Sequence, residues 1–295
     1  MTNLSFFFIV TTARIGAVVM GLGQASAGQA HARWVIPSHT VVSGDKPMSV
    51  AFDYSISNDL FHPDIALGGD ERVGPLAASK PSPAARPAGA YASVTKPDGS
   101  LQKLHSVDLK RKSSSFFVAD VPGTYRVDIH QTPTEFTRYI GADGETQRLF
   151  GPPQQNRARL PTQARSITQL TYINRIQTFV THNKTNLKTV KPTGSGLELR
   201  HFTHPNALFA SERSDFALVM DGKPLSQHGH VTITRGDTRF RNQRNSLHPE
   251  ISDQGHFSVT WPEAGFYLLE VEHEIHEKNT TIIHALFLTL EVQPE

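Results

Sequence analysis

The sequence contains no cysteine among its 295 residues. That absence excludes disulfide bridges, thiolate metal sites and cysteine nucleophiles together. An excess of charge of one sign is also missing, because 29 lysines and arginines are balanced by 27 aspartates and glutamates. A nucleic-acid-binding protein usually concentrates basic residues on one face, so this near balance predicts no nucleic-acid partner.

Sequence motifs of the common enzyme classes are absent as well. The chain has no Gly-x-Ser-x-Gly elbow, no His-Glu-x-x-His motif, no phosphate-binding loop and no dinucleotide fingerprint. Scattered serine, histidine and aspartate residues form a catalytic triad only through tertiary geometry, and no spacing here selects one. We therefore predict a protein that is not an enzyme. A hydrolase on a sandwich scaffold is the least favoured alternative.

Residues 1–30 have the features of a secretory signal peptide. They contain no acidic residue, a single basic residue (Arg14), a short apolar run over residues 15–22 and small residues up to Ala30. The apolar run is too short to span a bilayer, and cleavage is expected after Ala27 or Ala30. An uncleaved membrane anchor is the alternative. We predict a cleaved signal peptide over residues 1–30 and a periplasmic protein.

The chain after residue 30 has the pattern of strands rather than helices. Between Met48 and Ile56, Val50, Phe52 and Tyr54 alternate with smaller or polar residues, which is the period of a half-buried strand. Turn-forming residues separate further stretches of this kind, which are 91–95, 115–119, 124–130, 167–181, 216–220, 230–234, 256–261, 266–272 and 281–292. Only residues 134–140 have a pattern compatible with a helix.

An internal echo predicts how these strands are organised. Val121–Val127 and Trp261–Leu269 each join a turn containing proline and glycine to an aromatic-rich strand, as occurs near the end of immunoglobulin-like modules. We predict an all-β fold of two tandem immunoglobulin-like or transthyretin-like β-sandwich domains after the signal peptide. Residues 191–196 have linker composition, so the predicted domains are 31–190 and 191–295. Residues 68–89 and 141–161 are predicted to be long loops.

Several segments resemble an exported family of unknown function that is described as a periplasmic, NikM-like substrate-specific component of nickel uptake. They are 31–38 (His-Ala-Arg-Trp-Val-Ile-Pro-Ser), 56–64, 197–206, 218–224, 236–241 and 255–265. The resemblance covers essentially all of the chain after residue 30. It implies β-sandwich domains, a role in the uptake or handling of a transition metal, and a membrane transporter or outer-membrane receptor component as the partner.

The 15 histidines make metal binding the sharpest hypothesis, because imidazole and carboxylate groups bind Ni, Co, Cu and Zn. Cleavage after Ala30 would give His31 both an α-amine and an imidazole. Pro63 restricts the loop that carries His62 and Asp64, and it could hold these two groups in a fixed relation. The candidate ligands are His31, His62, Asp64 and His204. Convergence of at least three residues from this set, with His39 and His201 added, would support the site.

Each candidate also has a structural interpretation. His31 can simply begin a strand, Asp64 can cap a turn, and His204 can organise a turn together with Asn206. Two further pairs depend on strand geometry. His228 and His230 would share one face of a strand unless Gly229 bends the chain. A C-terminal hairpin could pair His273 with His284. Both pairs are predicted to be structural or solvent-facing rather than ligating.

Two functions of different classes therefore remain. The first is a non-enzymatic periplasmic binding or accessory protein for the uptake or handling of a transition metal of the nickel or cobalt type. The alternative is a structural or interaction module of the cell envelope, which contacts partner proteins through the loops 68–89 and 141–161.

Overall fold

The computed structural model describes residues 32–73, 89–225, 229–237 and 244–295, which form twenty strands and one short helix. In chain order the strands are β1 (Ala32–Pro37), β2 (Val41–Val42), β3 (Met48–Ser57), β4 (Ile65–Ala66), β5 (Glu71–Arg72), β6 (Ala90–Thr95), β7 (Leu101–Leu104), β8 (Ser106–Asp108), β9 (Ser113–Ala119), β10 (Gly123–Gln131), β11 (Thr134–Ile140), β12 (Thr146–Phe150), β13 (Arg165–His182), β14 (Leu197–His201), β15 (Arg213–Met220), β16 (Lys223–Pro224), β17 (His230–Arg235), β18 (His256–Thr260), β19 (Gly265–Glu277) and β20 (Thr280–Val292). The helix, α1, spans Pro153–Arg157. Within these residues, no helix has the length and apolar character needed to cross a bilayer.

The strands assemble into three sheets. The N-terminal sheet has the order β1-β3-β9-β8-β5, with β4 paired to β3. The central sheet has the order β17-β19-β20-β13-β10-β6-β7; β2 and β11 pair with β13, and β12 pairs with β11. The C-terminal sheet has the order β14-β15-β16, with β18 also paired to β15. The other two sheets each pack on the central sheet through a separate hydrophobic core.

The two cores lie on opposite faces of the central sheet. On β20, Ala285 and Phe287 belong to the core shared with the N-terminal sheet, whereas Leu286 and Leu288 belong to the core shared with the C-terminal sheet. Successive side chains of a strand point to opposite faces, so this alternation assigns one core to each face. Strand β20 pairs in parallel with β13 and is buried on both faces from Ala285 to Leu290, which explains its nearly continuous apolar run.

Each core contains a tyrosine whose hydroxyl bonds to the backbone of the turn that precedes it in the chain. The hydroxyl of Tyr125 donates to the carbonyl of Val121 at 2.8 Å, and the hydroxyl of Tyr267 donates to the carbonyl of Glu263 at 2.8 Å. A tyrosine that bonds back to the backbone a few residues upstream is the tyrosine corner of immunoglobulin-like sandwiches. The predicted all-β fold with two immunoglobulin-like sandwiches is confirmed, and the echoed segments are its two corners.

The predicted division at residues 190/191 separates most of the residues of the two cores. Strands from both predicted segments nevertheless join the central sheet, since β13 pairs with β20 along ten registered positions. The chain from His31 to Glu295 is one compact unit. The boundary between two domains therefore stays a prediction, and the signal peptide lies outside the described residues.

Two local predictions were wrong. Residues 134–140 form the strand β11 rather than a helix, because Phe136, Tyr139 and the β-branched residues of this segment suit the edge that β13 offers. The predicted loop 141–161 contains β12, which pairs with β11, and the helix α1. Of the other predicted loop, residues 74–88 lie outside the described part.

The corner hydrogen bonds lead to a test of stability. Tyr267 is 1% exposed, so Tyr267→Phe removes a buried hydroxyl and leaves the Glu263 carbonyl without this donor. We expect the free energy of unfolding, measured by urea denaturation, to fall by about 1–2 kcal/mol. Tyr91→Phe is the control, because Tyr91 is 42% exposed. Equal stability of the two variants would contradict the role of the corner.

Candidate functional site

The predicted ligands His62 and Asp64 lie in the turn that follows β3. The His62 amide donates to the carbonyl of Asp59 at 3.0 Å, which closes the turn. The Asp64 carboxylate accepts a hydrogen bond from the amide of Asn58 at 3.3 Å and lies 3.7 Å from a guanidinium nitrogen of Arg111. These contacts match the structural interpretation in which Asp64 caps backbone amides in a turn.

Both ring nitrogens of His204 have partners in the protein. Nδ1 accepts from the amide of Asn206 at 3.1 Å, and Nε2 lies 3.2 Å from the carbonyl of Asn186 and 3.0 Å from the hydroxyl of Thr124. A ring that accepts a hydrogen bond at Nδ1 and donates one at Nε2 is neutral. Burial lowers the pKa of His204, which favours this neutral form. His204 thus fastens the loop after β14 to β10.

The remaining candidates do not complete a ligand set. His31 and His228 lie outside the described residues, His39 is exposed, and His201 lies against the core of the C-terminal sandwich. In the part of the chain that the structure describes, no group of three or more histidine, aspartate or glutamate side chains is placed to hold a metal ion. His273 and His284 do stand directly opposite each other on β19 and β20. The set His31, His62, Asp64 and His204 stays a prediction.

The outer face of the C-terminal sheet carries an aromatic pair in an open cavity. We call it the His256 groove; its volume is about 720 Å³. Phe202 is 53% exposed and stacks on the ring of His256, with centroids 4.9 Å apart. The groove is lined by Phe202, Arg213, Asp215, Glu250, Ile251, Ser252, His256, Phe257 and Ser258.

A hydrogen-bond network fixes the polar side of the His256 groove. The hydroxyl of Ser258 donates to Asp215 Oδ1 at 2.6 Å, and Nε and Nη2 of Arg213 donate to the same oxygen at 3.1 and 3.0 Å. The Ser258 hydroxyl and then Arg213 lower the pKa of the Asp215 carboxyl, which stays ionised at neutral pH. The groove therefore presents a preorganised carboxylate and a guanidinium beside an aromatic surface.

A second cavity lies beside Phe202. We call it the Leu187 pocket; its volume is about 500 Å³. It is lined by Leu187, Val190, Lys191, Pro192, Gly194, Arg200, His201, Phe202 and Gly222. Leu187 and Phe202 are 57% and 53% exposed, so much of the apolar surface of the pocket is open to solvent.

An ion pair between a half-buried arginine and a buried glutamate holds one wall of the Leu187 pocket. Arg175 on β13 donates to Glu198 Oε1 at 2.7 Å. The two oxygens of Glu198 also accept from the amides of Thr193, Gly194 and Ser195 and from the Thr193 hydroxyl. The segment that the sequence predicts as a linker is therefore fixed against β14, because Glu198 would otherwise be a buried charge with unsatisfied acceptors.

A third polar group lies on the face of the central sheet that meets the N-terminal sheet. Glu270 and Glu272 on β19 share this face, and Arg33 of β1 reaches toward them with its guanidinium over the Phe287 ring at 5.7 Å. Burial, and then the charge of Glu272, raise the pKa of Glu270 to about 7 although Arg244 and Arg33 oppose the shift. Glu270 thus changes charge near neutral pH.

Sequence reasoning missed the groove, the pocket and Glu270. The pattern Arg213-x-Asp215 does indicate two polar side chains on one face of a strand, and Arg200-x-Phe202 is a similar signal. No sequence signal pairs Phe202 with His256, because Phe202 follows β14 and His256 begins β18, and these two strands are brought together only by β15.

The raised pKa of Glu270 predicts the direction of a pH effect. The Glu270 carboxyl keeps its proton up to about pH 7 in the folded protein, whereas a free glutamate has a pKa of 4.5. The free energy of unfolding therefore falls as the pH rises between these two values. Glu270→Gln should raise the free energy of unfolding by about 1–2 kcal/mol at pH 8.5 and change it little at pH 4. Urea denaturation at both pH values measures this difference. Glu277→Gln, an exposed change on the same strand, is the control. A Glu270→Gln effect of equal size at both pH values would show that charge is not the cause.

Several solved structures of low sequence identity are similar to this chain. The D0-D1 domain of intimin is 10% identical with a TM-score of 0.21, over 88% of this chain and 97% of that one. The adhesin InvE of Yersinia pseudotuberculosis is 9% identical with a TM-score of 0.23, over 89% of this chain and 61% of that one. The two tandem V-type regions of VCBP3, a chitin-binding protein, are 10% identical with a TM-score of 0.20, over 87% of this chain and 99% of that one. Scores of this size do not establish a shared arrangement of strands.

No curated protein matches the chain. A family described as a domain of unknown function (DUF4198) matches residues 28–275. Because the match covers most of the chain, the protein belongs to this family, in agreement with the predicted resemblance to a family of unknown function.

Proposed function

We propose that the protein is a non-enzymatic interaction module of the cell envelope that binds a partner protein through the His256 groove. The observation that carries this proposal is the exposed stack of Phe202 on His256. Aromatic side chains and arginine provide most of the binding energy at protein interfaces, and a ring that is already held in place loses little entropy on binding.

The polar side of the groove adds specificity. Arg213, Asp215 and Ser258 hold one another in a fixed arrangement, so a partner meets charges whose positions are already set. This surface differs from the one that the sequence predicted, because it lies on the face of a sheet rather than on the loops 68–89 and 141–161. The envelope location rests on the composition of residues 1–30.

Site-specific photocrosslinking in the producing cell tests this proposal. A benzophenone amino acid at position 202 should give a discrete crosslinked species on irradiation, because that position meets the partner. Position 116 is the matched control, since Phe116 on the outer face of the N-terminal sheet is 61% exposed. Arg213→Glu should lower the crosslink yield about threefold to tenfold. An absence of adducts at 202, or the same adducts at 116, would contradict the proposal.

Transition-metal uptake or handling is the second candidate function. It is supported by the 15 histidines, by the sequence resemblance and by the opposed pair His273 and His284. A membrane transporter or an outer-membrane receptor component would be the partner, and Ni, Co, Cu or Zn the bound ion. Both ring nitrogens of His204 have partners in the protein, so His31, His62 and Asp64 are the remaining proposed ligands.

Isothermal titration of the chain that begins at His31 with Ni²⁺, Co²⁺, Cu²⁺ and Zn²⁺ tests the metal function. The hypothesis expects binding tighter than roughly mid-micromolar for at least one ion. His31→Ala should weaken that binding at least about tenfold, because it removes an imidazole ligand from a site with few others. His276→Ala is the control, since that ring already contacts Thr281 and Glu274. No saturable heat with any of the four ions would exclude this function.

A further inference from the structure

The Leu187 pocket has an apolar interior and a cationic rim. Leu187, Val190, Pro192 and the ring of Phe202 supply apolar surface, whereas Lys191 and Arg200 are exposed at its edge. Neither cation has an ion pair among the residues that the structure describes. A volume of about 500 Å³ is within the range of pockets that bind small ligands.

The inner end of the pocket carries no charge. His201 lines it, and the His201 ring is enclosed by the edges of Phe179 and Phe216, with centroids 5.3 and 5.6 Å away. Burial, and then the neighbouring His204, lower the pKa of His201 to about 3, so the imidazole is neutral at physiological pH. Its Nδ1 is buried and has no hydrogen-bond partner among the described residues.

Two carboxylates in this region, Glu198 and Asp221, have partners other than Lys191 and Arg200. Glu198 is engaged by Arg175 and by the amides of residues 193–195. Asp221 Oδ1 accepts from the amide of Gly196 at 2.7 Å. Lys191 and Arg200 are therefore available to an anion from outside, and Arg200 lines the pocket together with Phe202.

The geometry points to a binding site for an amphipathic carboxylate, with its apolar part inside the Leu187 pocket and its carboxylate between Lys191 and Arg200. The two cations at the rim favour an anionic group of the ligand, and the uncharged interior disfavours a second charged group on it. A carboxylate that is attached to an apolar group occurs in a free fatty acid and at the C-terminus of an apolar peptide. The shared chemistry of these two sources is what the pocket recognises.

Preorganisation strengthens this assignment. The Lys191 amide donates to the carbonyl of Leu187 at 3.2 Å, and the Thr189 hydroxyl donates to the carbonyl of Thr124 at 2.7 Å, so the loop that forms one wall is anchored. Gly194 and Gly222 approach each other on the opposite side, where a Cβ on Gly222 would lie 3.6 Å from Gly194 Cα. The pocket thus exists before a ligand arrives, which lowers the entropy lost on binding.

Isothermal titration of the chain that begins at His31 tests the site with two pairs of probes. The pairs are decanoate with decanol, and an acetylated Ala-Val-Phe tripeptide with its C-terminal amide. Saturable binding of at least one carboxylate, at least about tenfold tighter than its neutral counterpart, is the expected result. Binding of decanoate alone identifies a free acid as the source, and binding of the tripeptide alone identifies a peptide C-terminus.

Variants of the rim complete the test. Lys191→Ala and Arg200→Ala should each weaken binding about threefold to fivefold, and together by about tenfold or more. Lys223→Ala is the matched control, because Lys223 is an exposed cation on the neighbouring β16 that does not line the pocket. All three substitutions are at exposed positions, and thermal unfolding verifies that the variants are folded.

The inference would be overturned by equal binding of a carboxylate and its neutral counterpart, by unchanged affinity in the double variant, or by no saturable binding of either carboxylate at millimolar concentration. These substitutions leave Phe202 and His256 in place. Failure of carboxylate binding is therefore distinguishable from failure of the proposed partner interaction, which is measured by crosslinking at position 202.

Discussion

The parallel pairing of β13 with β20 is the constraint on which the rest of the structure depends. These strands are registered from Gln169 opposite Thr280 to Thr178 opposite Thr289. Where they are covered on both faces, their side chains alternate between two cores, with Ile176 in one and Phe179 in the other. Polar residues at buried positions of β13 therefore need partners: the Gln177 amide donates to Asp128 Oδ1 at 2.6 Å, and the Thr178 hydroxyl donates to the carbonyl of Thr289 at 3.0 Å.

Strand β13 also supports the residues that form the Leu187 pocket. Phe179 and Arg175 lie on the face of β13 that meets the C-terminal sheet, where Phe179 contacts the His201 ring and Arg175 binds Glu198. Glu198 in turn holds residues 193–195. Removing Arg175 would leave the buried charge of Glu198 without its cation, so the shape of the Leu187 pocket is coupled to the central sheet.

The binding chemistry of the described part of the chain is concentrated on the C-terminal sandwich. Its outer sheet face carries the aromatic pair and the Arg213–Asp215 network, and the adjoining pocket adds apolar surface and unpaired cations. Phe202 lines both cavities and separates an anionic side, with Asp215 and Glu250, from a cationic side. A surface with two chemically different halves around one exposed ring is compatible with the partner recognition that we propose.

The sequence by itself determined most of the long strands, among them β13, β19 and β20, because period-2 alternation and glycine-containing turns are local properties of the chain. It missed β12 and favoured a helix at β11, which becomes a strand by pairing with β13. It indicated both tyrosine corners through the echo of residues 121–127 in residues 261–269, and it indicated the His273–His284 pairing through the hairpin. Only the tertiary structure decided that both sandwiches share the central sheet, since the β13–β20 pairing joins residues more than a hundred positions apart. It also determined that the Phe202 ring stacks on His256 and that the ring nitrogens of His204 form hydrogen bonds with Asn186 and Asn206. Non-local packing sets which side chains face one another, and no spacing along the chain encodes it.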